Sequence, residues 1–207
     1  VASQPHLWSS DDECVEILPY GGSATLWPSF LDDPDQTFHE LLHDIAWEDH
    51  YITLFGKSVR EPRQSAWFHT DGLPYQYSQS LRESQQMTPL LSHIMDRCAD
   101  ATHTQFNSVL ANLYRDGNDA MGWHADDEPE LGREPVIASI SLGAERRFDL
   151  RHRETKESVS VVLPHGSLLI MSGQSQHQWV HRIARTKKVS DPRINLTFRL
   201  TLSSLAT

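Results

Sequence analysis

From Arg193 to Leu202 polar and apolar residues alternate with period two: Ile194, Leu196, Phe198, Leu200 and Leu202 fall on one side, Arg193, Asn195, Thr197, Arg199 and Thr201 on the other. Successive strand side chains point to opposite faces, so this run predicts a strand with one apolar and one polar face. Short apolar runs precede it at Phe106–Tyr114, Val136–Leu142, Arg147–Leu150, Val159–Leu163 and Leu168–Met171, punctuated by Gly117, Gly132, Gly143 and Gly166. Gln176–Ile183 reads as another extended stretch, with His177, Trp179 and His181 on one side. Upstream, Cys14–Leu18 and Ala24–Trp27 read as short strands about a Pro19–Gly22 turn, and Tyr51–Val59 as a hairpin with Phe55, Gly56 and Lys57 at its tip.

Two segments change to helical spacing. Asp33-Pro34-Asp35-Gln36 has a capping aspartate, a proline in the first helical position and a glutamine three residues after the cap. Phe38, Leu41, Leu42, Ile45 and Ala46 then form one apolar stripe, with His39 and His43 off it. Thr88-Pro89 opens the second helix, which carries Leu90, Leu91, Ile94, Met95 and Cys98 on its stripe. Many short strands behind two helices predict a mainly β fold, a double-stranded β-helix or jelly roll, with the helices packed on the outer sheet face. Residues 1–13, polar and acidic, are expected to be a disordered tail. Residues 14–103 carry the helices and residues 104–207 the jelly-roll core, within one structural domain overall.

Composition narrows the class. At 207 residues, 38% of them hydrophobic and with no run long enough to span a bilayer, the chain is expected to be a soluble monomer with a single core. Two cysteines do not make a disulfide framework at this size, so Cys14 and Cys98 are expected to be reduced packing residues. No secretory leader is visible. A reducing compartment is therefore expected, the cytoplasm in a bacterium or the nucleus in a eukaryote.

The net charge of −10 argues against a generic nucleic-acid binder. Its distribution changes that picture. Residues 101–207 hold 13 Lys/Arg against 12 Asp/Glu, and residues 1–100 hold 5 against 16, so the halves carry +1 and −11. Arg185, Lys187 and Lys188 form one of several local basic clusters in the near-neutral half, each able to hold phosphates or simply to protect strand edges and turns.

The chemistry concentrates in two places. In the stretch from Asn112 to Pro129, His124 and Asp126 stand two apart in a segment that reads as extended, so both side chains point one way and can meet a single metal ion. A third ligand would complete the two-histidine, one-carboxylate face that suits non-haem Fe(II); His177 and His181 both qualify on spacing. On the Arg193 strand, two arginines six residues apart share a face, their backbones separated by about 20 Å. Two extended guanidinium groups could then clamp the ends of a five-carbon diacid.

Taken as a set, His124-x-Asp126, then His181, then Arg193 twelve residues on, then Arg199, resembles the AlkB family of Fe(II)- and 2-oxoglutarate-dependent dioxygenases. The words around Asn112-Leu-Tyr114, Ile137–Gly143, His165–Met171 and Pro192–Arg199 resemble its branch that repairs alkylated nucleic acid. The resemblance covers roughly residues 15 to 202. It implies Fe(II) on His124, Asp126 and His181, and O2 with 2-oxoglutarate as cosubstrates. Arg193 and Arg199 would grip the keto acid, with Asn112, Tyr114 and Thr197 in support.

The implied reaction is oxidative demethylation of 1-methyladenine and 3-methylcytosine in DNA, releasing formaldehyde, succinate and CO2. RNA or protein is the alternative target, and a non-catalytic jelly-roll binding module the alternative class. Within 14–103 the resemblance implies a nucleotide-recognition lid: Phe55 as a wedge at the hairpin tip, and Trp67 and Phe68 against the target base. Phe68 stands where such relatives usually carry tyrosine; phenylalanine keeps a ring for stacking and loses the hydroxyl. Asp127 is the expected catalytic carboxylate, joined by Glu128 in favouring a cationic base. Arg185, Lys187 and Lys188 would hold the phosphate backbone.

Overall fold

The structure, a computed structural model, describes residues 14–54, 56–77 and 80–202. The expected tail at 1–13 and the Phe55 wedge lie outside the described residues. Fifteen strands and three α-helices follow in order among the described residues, with a 3-10 turn at Pro129–Leu131. They are β1 (Val15–Glu16), β2 (Ser23–Trp27), α1 (Pro34–Asp44), β3 (Glu48–Leu54), β4 (Lys57–His69), β5 (Tyr75–Tyr77), β6 (Ser80–Arg82), β7 (Ser84–Gln85) and α2 (Pro89–Thr102). After them come β8 (Ser108–Tyr114), β9 (Met121–His124), β10 (Ile137–Gly143), β11 (Arg146–His152), β12 (Ser158–Leu163), β13 (Ser167–Ser172), α3 (Ser175–Gln178), β14 (Trp179–Ile183) and β15 (Arg193–Arg199).

Both longer helices start where the caps predict. The Asp33 carboxylate accepts from the Gln36 N–H at 3.1 Å and the Thr88 hydroxyl from the Leu91 N–H at 3.2 Å, each satisfying an amide the helix leaves unpaired. Nine strands form one sheet in the order β1-β2-β13-β10-β15-β8-β4-β3, with β7 alongside β4. Four more form a second, β12-β11-β14-β9, and β5 pairs with β6 in a small ribbon. Apart from β4 with β7, the pairs are antiparallel. Strands from both sides of residue 104 share the large sheet, since β2 pairs with β13 and β4 with β8.

The two faces of the large sheet carry different chemistry. On one, Phe68, Val109, Ala111, Ile140, Ile194, Leu196 and Phe198 join Leu41, Leu91, Ile94 and Cys98 of the helices in a single buried cluster. The other face looks toward the small sheet. There an apolar cluster with Leu26, Leu150, Leu169 and Trp179 lies beside a polar cavity lined from β4, β8, β9, β14 and β15. Register places Arg193 opposite Tyr114 and Asn195 opposite Asn112, with Ser65 of β4 on the far side of Asn112. Residues in register share a face, so all five turn into the space between the sheets.

Four expectations are corrected. The stretch from Gln176 is not extended throughout: Ser175–Gln178 make a helical turn after Gly173, which has φ 59°, and the strand begins at Trp179. The chain reverses there to return as β14, and His177 and Gln178 donate backbone N–H groups to the Gln174 carbonyl at 3.0 and 2.9 Å. Likewise β9 ends at His124, leaving Asp126 on irregular backbone. The last strand ends at Arg199, and Leu200 and Leu202 are exposed. Cys14 is also exposed, whereas Cys98 is packed as expected.

Candidate metal and cosubstrate site

β9 and β14 pair antiparallel with His124 and His181 directly opposed. Their rings meet edge to face with centroids 4.3 Å apart. Asp126 reaches the same point, and one ligand atom from each of the three lies within 4.8 Å of the others. The His124 Nδ1 sits 2.9 Å from the Gly122 carbonyl, which can only accept, so Nδ1 carries the hydrogen and Nε2 keeps its lone pair for a metal.

Electrostatics favour the metal-binding forms. Burial pushes the His181 imidazole down to about 3, the neighbouring His124 adding to the effect. Burial by itself would raise the Asp126 carboxyl, but Arg199, His181 and His124 outweigh it and hold the group below its ordinary value. Two histidines and one carboxylate, with no further ligating side chain in this cluster among the described residues, leave coordination positions open, as a non-haem Fe(II) site requires.

The adjoining cavity fits an anionic ligand. Arg193 is 2% exposed, and its Nη2 donates to the Ser141 hydroxyl at 2.9 Å. Its Nε and Nη1 are buried without an acceptor, as is the Arg199 Nε. A buried donor left unpaired costs about 1–3 kcal/mol, so these N–H groups mark where ligand oxygens belong. Burial lowers the Arg193 guanidinium to about 10, still charged at neutral pH. Asn112 has its amide orientation fixed, because Arg63 Nε donates to its Oδ1 at 2.9 Å. Arginine cannot accept, so the Asn112 NH2 is the end left for the cavity. Tyr114 lies beneath the Arg193 guanidinium, 5.2 Å from ring centre to Cζ. Thr197 joins the polar lining, donating to Asn195 Oδ1 at 3.2 Å.

Arg199 differs from the simple clamp expected of it. Its Nη2 donates to Asp126 Oδ1 at 2.8 Å and its Nη1 to the Tyr75 hydroxyl at 3.3 Å. One side chain therefore braces the metal carboxylate and presents a spare N–H to the cosubstrate cavity.

The residues expected at a nucleic-acid mouth divide. Glu128 accepts from the Tyr75 hydroxyl at 2.8 Å, and its other oxygen is buried without a donor. Asp127, expected as the catalytic carboxylate, is exposed and paired with Arg153 at 2.8 Å, and it does not line the cavity. Trp67 stacks on Tyr75 at 4.5 Å and donates to the Leu73 carbonyl, so it backs the tyrosine rather than facing solvent. Phe68 is corrected: β4 alternates, and its ring turns into the helix-covered core at 1% exposure, where it cannot stack on a base. Arg185, Lys187 and Lys188 are exposed on the loop between β14 and β15, and none of them lines the cavity that holds the metal ligands. His177 points off the turn toward the Arg133 carbonyl and is not among the ligands.

Sequence reasoning missed Tyr75, Arg63, Glu61 and Arg82. The last three form a buried chain: Glu61 pairs with Arg63 at 2.7 Å and with Arg82 at 2.9 Å. The only available signal was the spacing of Glu61, Arg63 and Ser65 at every second position of β4, which places them on one face, and it is blurred by Gln64 on the other face. His50 lies beside this buried chain, and His69 closes β4 next to Trp67. Burial lowers both imidazoles below their ordinary value, and for His50 the Arg82 charge adds to it. Their contribution to stability is full above the unfolded value of about 6.5 and is lost as pH falls below it, because the unfolded chain takes up protons the fold refuses. Urea unfolding of the apoprotein should show a lower midpoint at about pH 5.5 than at about pH 7.5, the gap narrowing in a His50→Gln, His69→Gln double variant. An unchanged gap would remove these residues as its source.

Comparison with known proteins agrees with this geometry. The model of the 2OG-Fe(II) oxygenase superfamily matches residues 23–199. The chain is 38% identical over 198 residues to the alpha-ketoglutarate-dependent dioxygenase alkB homolog 3 of Bos taurus, covering 89% of this chain and 68% of that protein. It is 38% identical over 178 residues to the DNA oxidative demethylase ALKBH2 of Mus musculus, covering 81% and 74%. The solved structure of OsALKBH1 superposes with a TM-score of 0.61 at 17% identity, over 89% of this chain and 99% of that one, a likeness of fold. With the two-histidine, one-aspartate cluster and the buried arginine pair already in place, the chain belongs to the AlkB family of 2OG-Fe(II) oxygenases and is a 2-oxoglutarate-dependent dioxygenase.

Proposed function

We propose that this enzyme removes methyl groups from alkylated bases in DNA, 1-methyladenine and 3-methylcytosine, yielding formaldehyde, succinate and CO2. The observation that carries the reading is the Tyr75–Glu128 pair. A buried carboxylate oxygen without a donor stands two residues beyond the metal carboxylate, on a side chain held by Tyr75, which also contacts the Arg199 that lines the cavity. A base methylated on its ring nitrogen is cationic and presents an exocyclic N–H, and a carboxylate suits both features. The ALKBH2 relative is named a DNA oxidative demethylase, which supports the same reading.

The division of labour follows from the side chains. Bound Fe(II), with 2-oxoglutarate and O2, supplies the oxidation of the methyl group. His124, Asp126 and His181 would hold the metal; Arg193, with Asn112 and Tyr114 beside it, would hold the keto acid; Arg199 keeps Asp126 ionised and aimed. Trp67 and Tyr75 wall the base side, and Leu110, packed with both, keeps water from that wall. Arg185, Lys187 and Lys188 offer phosphate contacts at the periphery.

Formaldehyde release measured side by side on methylated DNA, methylated RNA and methylated peptide tests the proposal. DNA is expected to be turned over fastest, and Glu128→Gln to lower kcat/KM on it by about 10–100-fold, the loss of one buried charge-assisted contact of about 1.5–3 kcal/mol. Faster release from RNA or peptide would redirect the substrate while leaving the oxygenase intact.

A further inference from the structure

Two of the three metal ligands are held by a ladder: His124 and His181 sit opposite one another on paired strands. Asp126 is not, because β9 has ended and residues 125–128 follow irregular backbone. Arg199 fixes one carboxylate oxygen, but a side-chain contact does not set where the Asp126 Cα lies. The backbone is fixed from the far side of the chain. The Asp126 N–H donates to Gln176 Oε1 at 2.9 Å, across 50 residues, and Gln176 is 1% exposed. A backbone N–H can only donate, so the Gln176 amide has one orientation; its NH2 end has only long contacts, 3.5 Å to the Met171 sulfur and to the Ser175 hydroxyl. A second strap runs parallel. Arg153 Nη2 reaches both Asp127 at 2.8 Å and the Gln176 carbonyl at 3.3 Å.

The turn that presents Gln176 is itself wedged. A Cβ at Gly22 would lie 2.2 Å from the Ser175 nitrogen, so only glycine lets the β1–β2 turn close against it. Trp179 Nε1 donates to the Tyr20 carbonyl at 3.0 Å at the other end of that turn.

We infer that Gln176 is a positioning residue for the metal site, its side-chain oxygen setting the backbone of Asp126 so that the carboxylate meets the two histidines. The helical turn at 175–178 then has a purpose beyond reversing the chain: it points Gln176 inward and His177 outward. Partners that hold a ligand in place typically contribute 10–100-fold to metal affinity.

The test is Mn(II) binding to the apoprotein, without cosubstrate or nucleic acid, so that its outcome does not depend on which substrate the enzyme takes. Gln176→Leu removes the acceptor and should weaken Mn(II) binding by about 10–100-fold. Gln176→Glu keeps an acceptor oxygen at the same reach and should restore affinity to within a few-fold. Unchanged affinity in Gln176→Leu, or an equal loss in both variants, would overturn the assignment. Should Gln176→Leu not fold, hydrogen exchange of the wild-type apoprotein decides: the Asp126 amide is expected to be protected, and exchange at the rate of an unstructured amide would refute the contact.

Discussion

His181→Ala abolishes 2-oxoglutarate-driven succinate formation and Mn(II) binding, whereas His177→Ala leaves both within a few-fold of the parent: this is the expected result. By spacing alone the two histidines were equivalent, four residues apart in one polar stretch. The fold separates them. His181 begins the second residue pair of β14, buried, with its ring against His124 on one side and Phe148 on the other at 5.2 Å between centroids. Its alanine variant leaves one histidine and one carboxylate, too few to retain the ion, so the loss should exceed the 10–100-fold that follows from disturbing an outer partner. His177 is exposed on the turn and spends its Nε2 on the Arg133 carbonyl. Activity surviving in His181→Ala but not in His177→Ala would mean that the site is built on the wrong imidazole.

That contrast also shows what a sequence of this kind displays and what it hides. Period-two alternation located β15 and the inward turn of Arg193 and Arg199, whereas β8, β10 and β13, buried on both faces, were legible as short apolar runs between turn residues. Helix starts were legible because capping is local chemistry: Asp33 and Thr88 act within three residues of themselves. Phe68 was misplaced for the opposite reason. Its face is decided by register with β8, where it opposes Val109, and no local pattern encodes that pairing. Tyr75 was passed over because Glu128 and Arg199, with which its hydroxyl bonds, lie 53 and 124 residues away. Glu61, Arg63 and Arg82 drew no reading from the sequence, because the buried pair of Glu61 with Arg82 joins β4 to β6 and exists only once the strands are assembled.

Arg193→Met is expected to separate function from stability, raising the apparent KM for 2-oxoglutarate by about 10²–10⁴-fold while leaving the apoprotein at least as stable as the parent. In the apoprotein Arg193 donates to Ser141 and rests against Tyr114, and its Nε and Nη1 sit buried without a well-formed hydrogen bond. Two unpaired donors cost about 1–3 kcal/mol each, so an apolar chain of similar length offsets what the lost Ser141 contact contributed. With the keto acid bound the balance reverses. Two charge-assisted bonds to its carboxylate, about 1.5–3 kcal/mol each, disappear together, which corresponds to the stated range in affinity. Arg199→Met should behave differently. It strips Asp126 of its partner at 2.8 Å and leaves a buried carboxylate uncompensated, so the apoprotein itself should lose about 3–5 kcal/mol. Thermal unfolding of both apoproteins, beside 2-oxoglutarate titrations, separates the roles: one arginine waits for the ligand, and the other already carries the metal carboxylate. Equal destabilisation by the two variants, or full 2-oxoglutarate affinity in Arg193→Met, would show that the unpaired N–H groups of Arg193 are not the seat of the cosubstrate.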